Sequence, residues 1–161
     1  MTMSVTELLQ RSELFTELAP EKIEQIAALG QGIVYDAGDV VISEGDPSND
    51  IYVICKGMVE VEVSRGNIPD VPGASRSSSI VHLGQGQTFG EMALVDRGAR
   101  SATVRCVQNG TTLHVIPRED FWALCNKDHH IGFIVMRNIA FDLSFKLRHR
   151  NLQVGMAGGA V

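Results

Sequence analysis

Residues 33–116 form a succession of short apolar runs cut by turn residues, and this rhythm constrains the fold more than any other feature of the chain. The runs fall at 33–35, 40–43, 51–55, 58–63, 80–83, 101–107 and 111–116. Runs of that length, bounded by glycine, aspartate, asparagine and proline, predict the strands of a sandwich or barrel. Glycine stands in the breaks at Gly38, Gly45, Gly57, Gly84, Gly86 and Gly110, where a reversing chain often needs positive φ. In 58–63, Val59, Val61 and Val63 alternate with Glu60 and Glu62, the mark of a strand with one buried and one wet face. The polar stretch 64–79, with Gly66, Pro69, Pro72 and Gly73, reads as an exposed hairpin loop.

Helical patterns flank this block. Short helices are expected at 5–9 and 20–29; Pro20 suits a first turn, Gly30 suits an end, and Ile23, Ile26 and Ala27 face inward. After Pro117, Glu119 and Asp120 favour a helix start, with Phe121, Trp122, Leu124 and Cys125 as its apolar residues. A longer helix is expected over 129–151, ending in a glycine-rich tail. It carries Ile134, Phe141, Phe145 and Leu152 on one stripe and Met136, Ala140, Leu143 and Leu147 on another. One stripe covers the strands. The other is left for a homodimer or partner contact, unless the helix is buried on all sides.

At 161 residues, 44% hydrophobic and 20% charged, the chain fits one globular domain. No apolar run approaches the roughly 20 residues that cross a bilayer, and the start lacks a basic segment followed by an apolar one, so neither membrane insertion nor export is expected. Cys55, Cys106 and Cys125 are odd in number and widely spaced, which fits buried free thiols in a reducing cytoplasm. The histidines, His82 and His114 among them, make no close-spaced pair with a cysteine, so no metal site is expected. A net charge of −5 argues against direct binding to nucleic acid.

The chemistry concentrates in Phe89-Gly90-Glu91-Met92-Ala93-Leu94 and Arg100-Ser101-Ala102-Thr103-Val104, where a lone acid and a lone arginine stand in an apolar, glycine-rich setting. Arg100 falls where a polar loop becomes a strand. With Ala37-Gly38-Asp39, Glu44-Gly45-Asp46 and the run from Ile51 to Gly57, these segments closely resemble the cyclic nucleotide-binding domain. That family includes bacterial catabolite activators, protein kinase A regulatory subunits and cyclic nucleotide-gated channels. The resemblance extends from about Leu14 to Asn151 and rests on several glycines and two charges in order.

The resemblance implies a mainly β jelly-roll (double-stranded β-helix) barrel with N-terminal helices and two C-terminal helices. It divides the chain into a helical segment at 1–31, the nucleotide-binding roll at 32–117, lid or interface helices at 118–152 and a flexible tail at 153–161. It makes Phe89 to Ala102 a phosphate-binding cassette. Amide groups of Gly90, Glu91, Met92 and Ala93 then face the phosphate, and Arg100 pairs with two of its oxygens. Glu91 accepts a hydrogen bond from the ribose 2′-hydroxyl. Val61 and Val81 form an apolar wall beside the purine or are plain core residues. Ser101 fits cyclic AMP and cyclic GMP alike, and a residue of the last helix, Arg148, Lys146 or Leu147, closes over the base.

The function so implied is a cytoplasmic cyclic nucleotide receptor, with cyclic AMP favoured and cyclic GMP open. It performs no catalysis, needs no cofactor beyond the ligand, and signals through its C-terminal helices to an effector protein or an output domain. Four alternatives stand beside it. Glu91 and Arg100 could form a ligand-free structural ion pair; a related roll could be a cupin-like metalloenzyme; His82 or a cysteine could ligate haem in a gas sensor; or the domain could serve only to interact or dimerise through its last helix.

Overall fold

A computed structural model describes residues 2–64 and 78–158. Helix α1 (Val5–Arg11) starts from a reciprocal cap in which Ser4 Oγ accepts the Glu7 N–H at 3.2 Å and Glu7 Oε2 accepts the Ser4 N–H at 2.7 Å. A 3-10 turn (Glu13–Phe15) follows, then α2 (Pro20–Ala27), where Pro20 occupies the first turn and loses no helical hydrogen bond.

The strands are β1 (Gln31–Tyr35), β2 (Val40–Ile42), β3 (Ile51–Lys56), β4 (Met58–Ser64), β5 (Ser78–Gly84), β6 (Thr88–Phe89), β7 (Thr103–Cys106) and β8 (Thr111–Ile116). They form two four-stranded sheets, ordered β1-β8-β3-β6 and β2-β7-β4-β5, and every pairing is antiparallel. The chain is therefore mainly β, as expected, but among the described residues the barrel does not close. The edge strands β6 and β2 are only two and three residues long, too short to carry a ladder from one sheet to the other. The strand expected over 101–107 begins at Thr103, so Arg100 lies in the loop before it. The expected loop over 64–79 falls, from 65 to 77, outside the described residues.

Two cores result. Ile42, Val59, Val104 and Cys106 meet Tyr52, Ile54, Phe89, Leu113 and Val115 between the sheets. The second core joins the N-terminal helices to Ile51, Val53, Leu94 and Ile116 of the roll and to the C-terminal helices. Ile23 and Ile26 of α2 are buried there, as their spacing predicts, with Ala27 partly buried beside them.

Helices α3 (Arg118–Lys127) and α4 (His129–Gly158) close the fold. Between them Asp128 caps α4, its Oδ1 accepting from the His130 N–H at 3.1 Å and the Ile131 N–H at 3.4 Å, while its Oδ2 pairs with Lys22 of α2. Contrary to the expected end at Asn151, α4 continues to Gly158, so 153–158 is helix rather than an irregular tail. A glycine costs a helix only about 1 kcal/mol, too little to stop it at Gly155. Residues 159–161 lie outside the described ones.

The apolar stripes of α4 also differ from expectation. Ile131, Ile134, Val135 and Ile139 are buried, with Met136 and Leu143 partly so, whereas Ala140 is exposed and Phe133, Phe141, Phe145 and Leu147 are 61–66% exposed. Ile134 and Phe141 share a stripe, but from Ser144 to His149 every residue is exposed: the helix runs past the edge of the core that buries its first half. The side chain of Leu152 lies outside the described residues.

Candidate functional site

The turn from Phe89 to Leu94 is pinned in both cores. Phe89 stacks on Tyr52 between the sheets, ring centroids 4.8 Å apart and 4° from parallel, and Leu94 is fully buried under the helices. Between them Gly90 adopts φ +82° and heads a 3-10 turn (Glu91–Leu94) with no side-chain cap. A Cβ at Gly90 would lie 2.8 Å from the Asp50 carbonyl oxygen and 3.0 Å from Arg100 Nη1. Left-handed backbone and lack of room each require glycine there.

Arg100 is fixed at both backbone and side chain. Its N–H donates to the Asp46 carbonyl at 2.9 Å and its carbonyl accepts from the Gly45 N–H at 2.8 Å, so the Glu44-Gly45-Asp46 turn sets its place. Nε donates to Ser48 Oγ at 3.0 Å, Nη1 to the Gly90 carbonyl at 3.2 Å and Nη2 to the Asp50 carbonyl at 2.7 Å. The residue is only 8% exposed. Burial pulls its pKa down, opposed by Tyr52, Asp50, Asp46 and Glu91, yet a guanidinium stays charged at any ordinary pH. Burial first, then the Asp50 charge, push the Tyr52 phenol up to about 12, so it faces Arg100 as a neutral group. Among the described residues Glu91 and Arg100 form no ion pair; the partners of Arg100 are two carbonyls and a hydroxyl. This arrangement sets a buried cation, with N–H donors to spare, behind a glycine-headed turn, and it can hold a small anion.

The remaining sequence-selected residues fall into two groups. Around the turn, Ala93 is buried, Glu91 and Ala102 are half-buried, and Met92 and Ser101 are exposed. On the neighbouring sheet Val61 lies directly opposite Val81 in the β4–β5 register and opposite Val104 in β7. One face thus grades from buried Val59 through half-buried Val61 to Val81, 52% exposed. A cleft of about 790 Å³ separates α4 from the roll and includes Leu83, Thr88, Glu91, Phe141, Phe145 and Lys146 in its lining. That size is usual for a small-molecule site, about 300–1,000 Å³. Of the lid candidates, Lys146 lines this cleft, while Arg148 and Leu147 are exposed outside it. Burial lowers the Lys146 pKa, but its hydrogen bond to Asp142 and the charges of Asp142, Glu91 and Glu13 outweigh this and raise it overall.

Three contributors escaped sequence reasoning. Asp50 acts through its carbonyl, which any residue type supplies, and Ser48 is one hydroxyl in a polar turn. Arg118, between Pro117 and Glu119, was not singled out, yet its Nε donates to the Ala93 carbonyl at 2.5 Å; a lone arginine beside a helix start carries no signal of burial. His114, considered as a metal ligand, donates from Nε2 to the Ala27 carbonyl at 2.8 Å. Among the described residues no group of three or more histidine, cysteine, aspartate or glutamate side chains is placed to hold a metal ion. All three cysteines are free, Cys106 and Cys125 buried and Cys55 half-buried.

The two-sheet roll, its glycine-headed turn and the covering helices together have the build of a small-ligand receptor domain. The cyclic nucleotide-binding domain model matches residues 33–128, and the chain belongs to that family. It is 30% identical over 145 residues to the cyclic AMP receptor protein of Thermus thermophilus, covering 90% of this chain and 62% of that one. It is 31% identical over 113 residues to human cGMP-dependent protein kinase 2, covering 70% of this chain and 14% of the kinase. The crystal structure of the Thermus thermophilus catabolite activator protein superposes with a TM-score of 0.73 at 29% identity, again over 90% of this chain and 62% of that one. The chain thus spans less than two thirds of the length of these relatives. No described helix is long and apolar enough to cross a membrane.

Proposed function

We propose that this domain is a cyclic nucleotide receptor, with cyclic AMP its preferred ligand, that passes occupancy on through α3 and α4. The observation that carries the reading is Arg100, buried and bonded to Gly90, Asp50 and Ser48. A cyclic phosphodiester has one negative charge, and a guanidinium held in advance gains that interaction at little ordering cost. Amides at the start of the 3-10 turn complete the phosphate site, Glu91 accepts from the ribose 2′-hydroxyl, and Val61 and Val81 flank the base. Support for cyclic AMP over cyclic GMP comes from the Thermus thermophilus receptor, named for cyclic AMP and similar along 90% of this chain. The ligand undergoes no reaction; it favours whichever arrangement of α4 it contacts better, by the difference in affinity and no more. The output is an effector protein or a further domain. Free thiols fit a reducing compartment, the cytoplasm.

The test is equilibrium binding of cyclic AMP, cyclic GMP and 2′-deoxy cyclic AMP to ligand-stripped protein. Cyclic AMP is expected to bind best. The 2′-deoxy analogue should lose about 1 kcal/mol or more, since it leaves a half-buried charged acceptor without that hydrogen bond, and Glu91→Gln should shrink that difference. Equal binding of the ribose and deoxyribose forms would contradict the role of Glu91. A second reading, an interaction domain that dimerises through α4, draws on the exposed Phe133, Phe141, Phe145 and Leu147. A ligand-free dimer with no affinity for either nucleotide would favour it.

A further inference from the structure

The turn that carries Gly90 and Glu91 is gripped at its far end by a second arginine, one the proposed ligand site does not use. The Gly90 carbonyl accepts from Arg100 Nη1 and from the Ala93 N–H, both at 3.2 Å, and the Ala93 carbonyl in turn accepts from Arg118 Nε at 2.5 Å. A short chain of hydrogen bonds therefore runs from the anion-holding arginine, through one turn of backbone, to the first residue of α3. Arg118 is 9% exposed. Its ion-pair partner Glu119, at 3.3 Å, is 79% exposed in its side chain, and such a solvated pair contributes little. That leaves the Ala93 carbonyl as the main polar partner of a buried cation, and the guanidinium lies 5.7 Å above the ring of Trp122. The indole Nε1 is buried and has no hydrogen-bond partner among the described residues.

The geometry points to Arg118 as a positioning residue for the nucleotide-binding turn, and to Trp122 as the group whose surroundings change when that turn is occupied. The inference rests on the reading of the turn as the cyclic nucleotide site. An anion that takes up Arg100 Nη1 weakens its bond to the Gly90 carbonyl. The turn then readjusts, and Arg118 carries the change at Ala93 into α3. Leu94, buried beside α3 in the same core as Phe121 and Cys125, keeps the turn and the helix in register while this happens.

Trp122 is the sole tryptophan of the chain, so intrinsic emission reports on it alone. Ligand-stripped full chain is titrated with cyclic AMP and with cyclic GMP, following heat and tryptophan emission together. The unsubstituted protein should show a saturable emission change with the same midpoint as the heat. Arg118→Ala should bind about tenfold more weakly and lose the emission change; Arg118→Lys, which keeps the charge and a donor, should recover part of both. Trp122→Phe should bind normally. Where the alanine variant does not fold, Arg118→Met keeps the bulk without the donors and replaces it. A folded Ala or Met variant that merely melts lower, with affinity within about twofold of the original and the full emission change, overturns the inference while leaving the receptor reading intact. No heat with either nucleotide in the unsubstituted chain overturns both.

Discussion

The two sides of the cleft are made differently. On the roll side, Gly90 is held at φ +82° against the Asp50 carbonyl, and Arg100 bonds three separate groups. On the helix side, Phe145 is 66% exposed and stacks on His149 of its own helix, 5.5 Å away, while Lys146 pairs with Asp142 one turn earlier. The roll side is set by contacts distant in sequence, the helix side by neighbours within α4. A charge that must be recognised every time calls for preorganisation. An element that must change its contacts with occupancy calls for the opposite, and the far half of α4 has little to lose by moving.

Substitutions on the two sides should separate accordingly. Gly90→Ala should have the largest effect: the left-handed backbone alone costs about 1–2 kcal/mol, and the Cβ must displace the Asp50 carbonyl or Arg100, so both melting temperature and nucleotide affinity should fall. A Gly90→Ala protein with unchanged affinity would mean that the turn is as adjustable as the helix. Phe145→Ala and Lys146→Ala should be milder, a few-fold in affinity and about 0.5–1 kcal/mol, with no loss of thermal stability, because both residues are exposed. If either matched the effect of Gly90→Ala on affinity, the contrast between the sides would collapse.

The smallest effect concerns neither side. Burial lowers the His114 pKa more than its bond to Ala27 raises it, so the folded protein prefers the neutral ring. With the folded value below the unfolded one, the unfolded chain takes up the proton first on acidification. Stability is therefore lost as pH falls below about 6.5, until the folded value is passed. Melting curves should show this decline, and His114→Gln, which keeps a donor for the Ala27 carbonyl, should flatten it. A decline of the same slope in His114→Gln would place the titrating group elsewhere.

The contrast also follows what was readable in the sequence. Gly90, Glu91 and Arg100 stood out because charges and glycine are conspicuous among apolar residues, whereas the Val59, Val61, Val63 alternation marked a buried face only at Val59: Val61, Glu60 and Glu62 are half-buried and Val63 is exposed, because the core between the sheets ends along β4. The alternation could not supply register, and the pairing of Val61 with Val81 is a matter of how β4 meets β5. The bonds that fix Arg100 were hidden, since two of them go to carbonyls and a carbonyl leaves no side-chain signature. Periodicity likewise gave the apolar positions of α4 but not where the core beneath it ends, so Phe141 and Phe145 were grouped with buried Ile134.

The most direct test of the account is calorimetric titration of ligand-stripped protein with cyclic AMP and cyclic GMP beside Arg100→Ala. The account predicts saturable binding to the unsubstituted protein that Arg100→Ala weakens at least about tenfold, or 1.4 kcal/mol. Binding that survives Arg100→Ala undiminished would contradict the central claim that this buried guanidinium holds the ligand's phosphate.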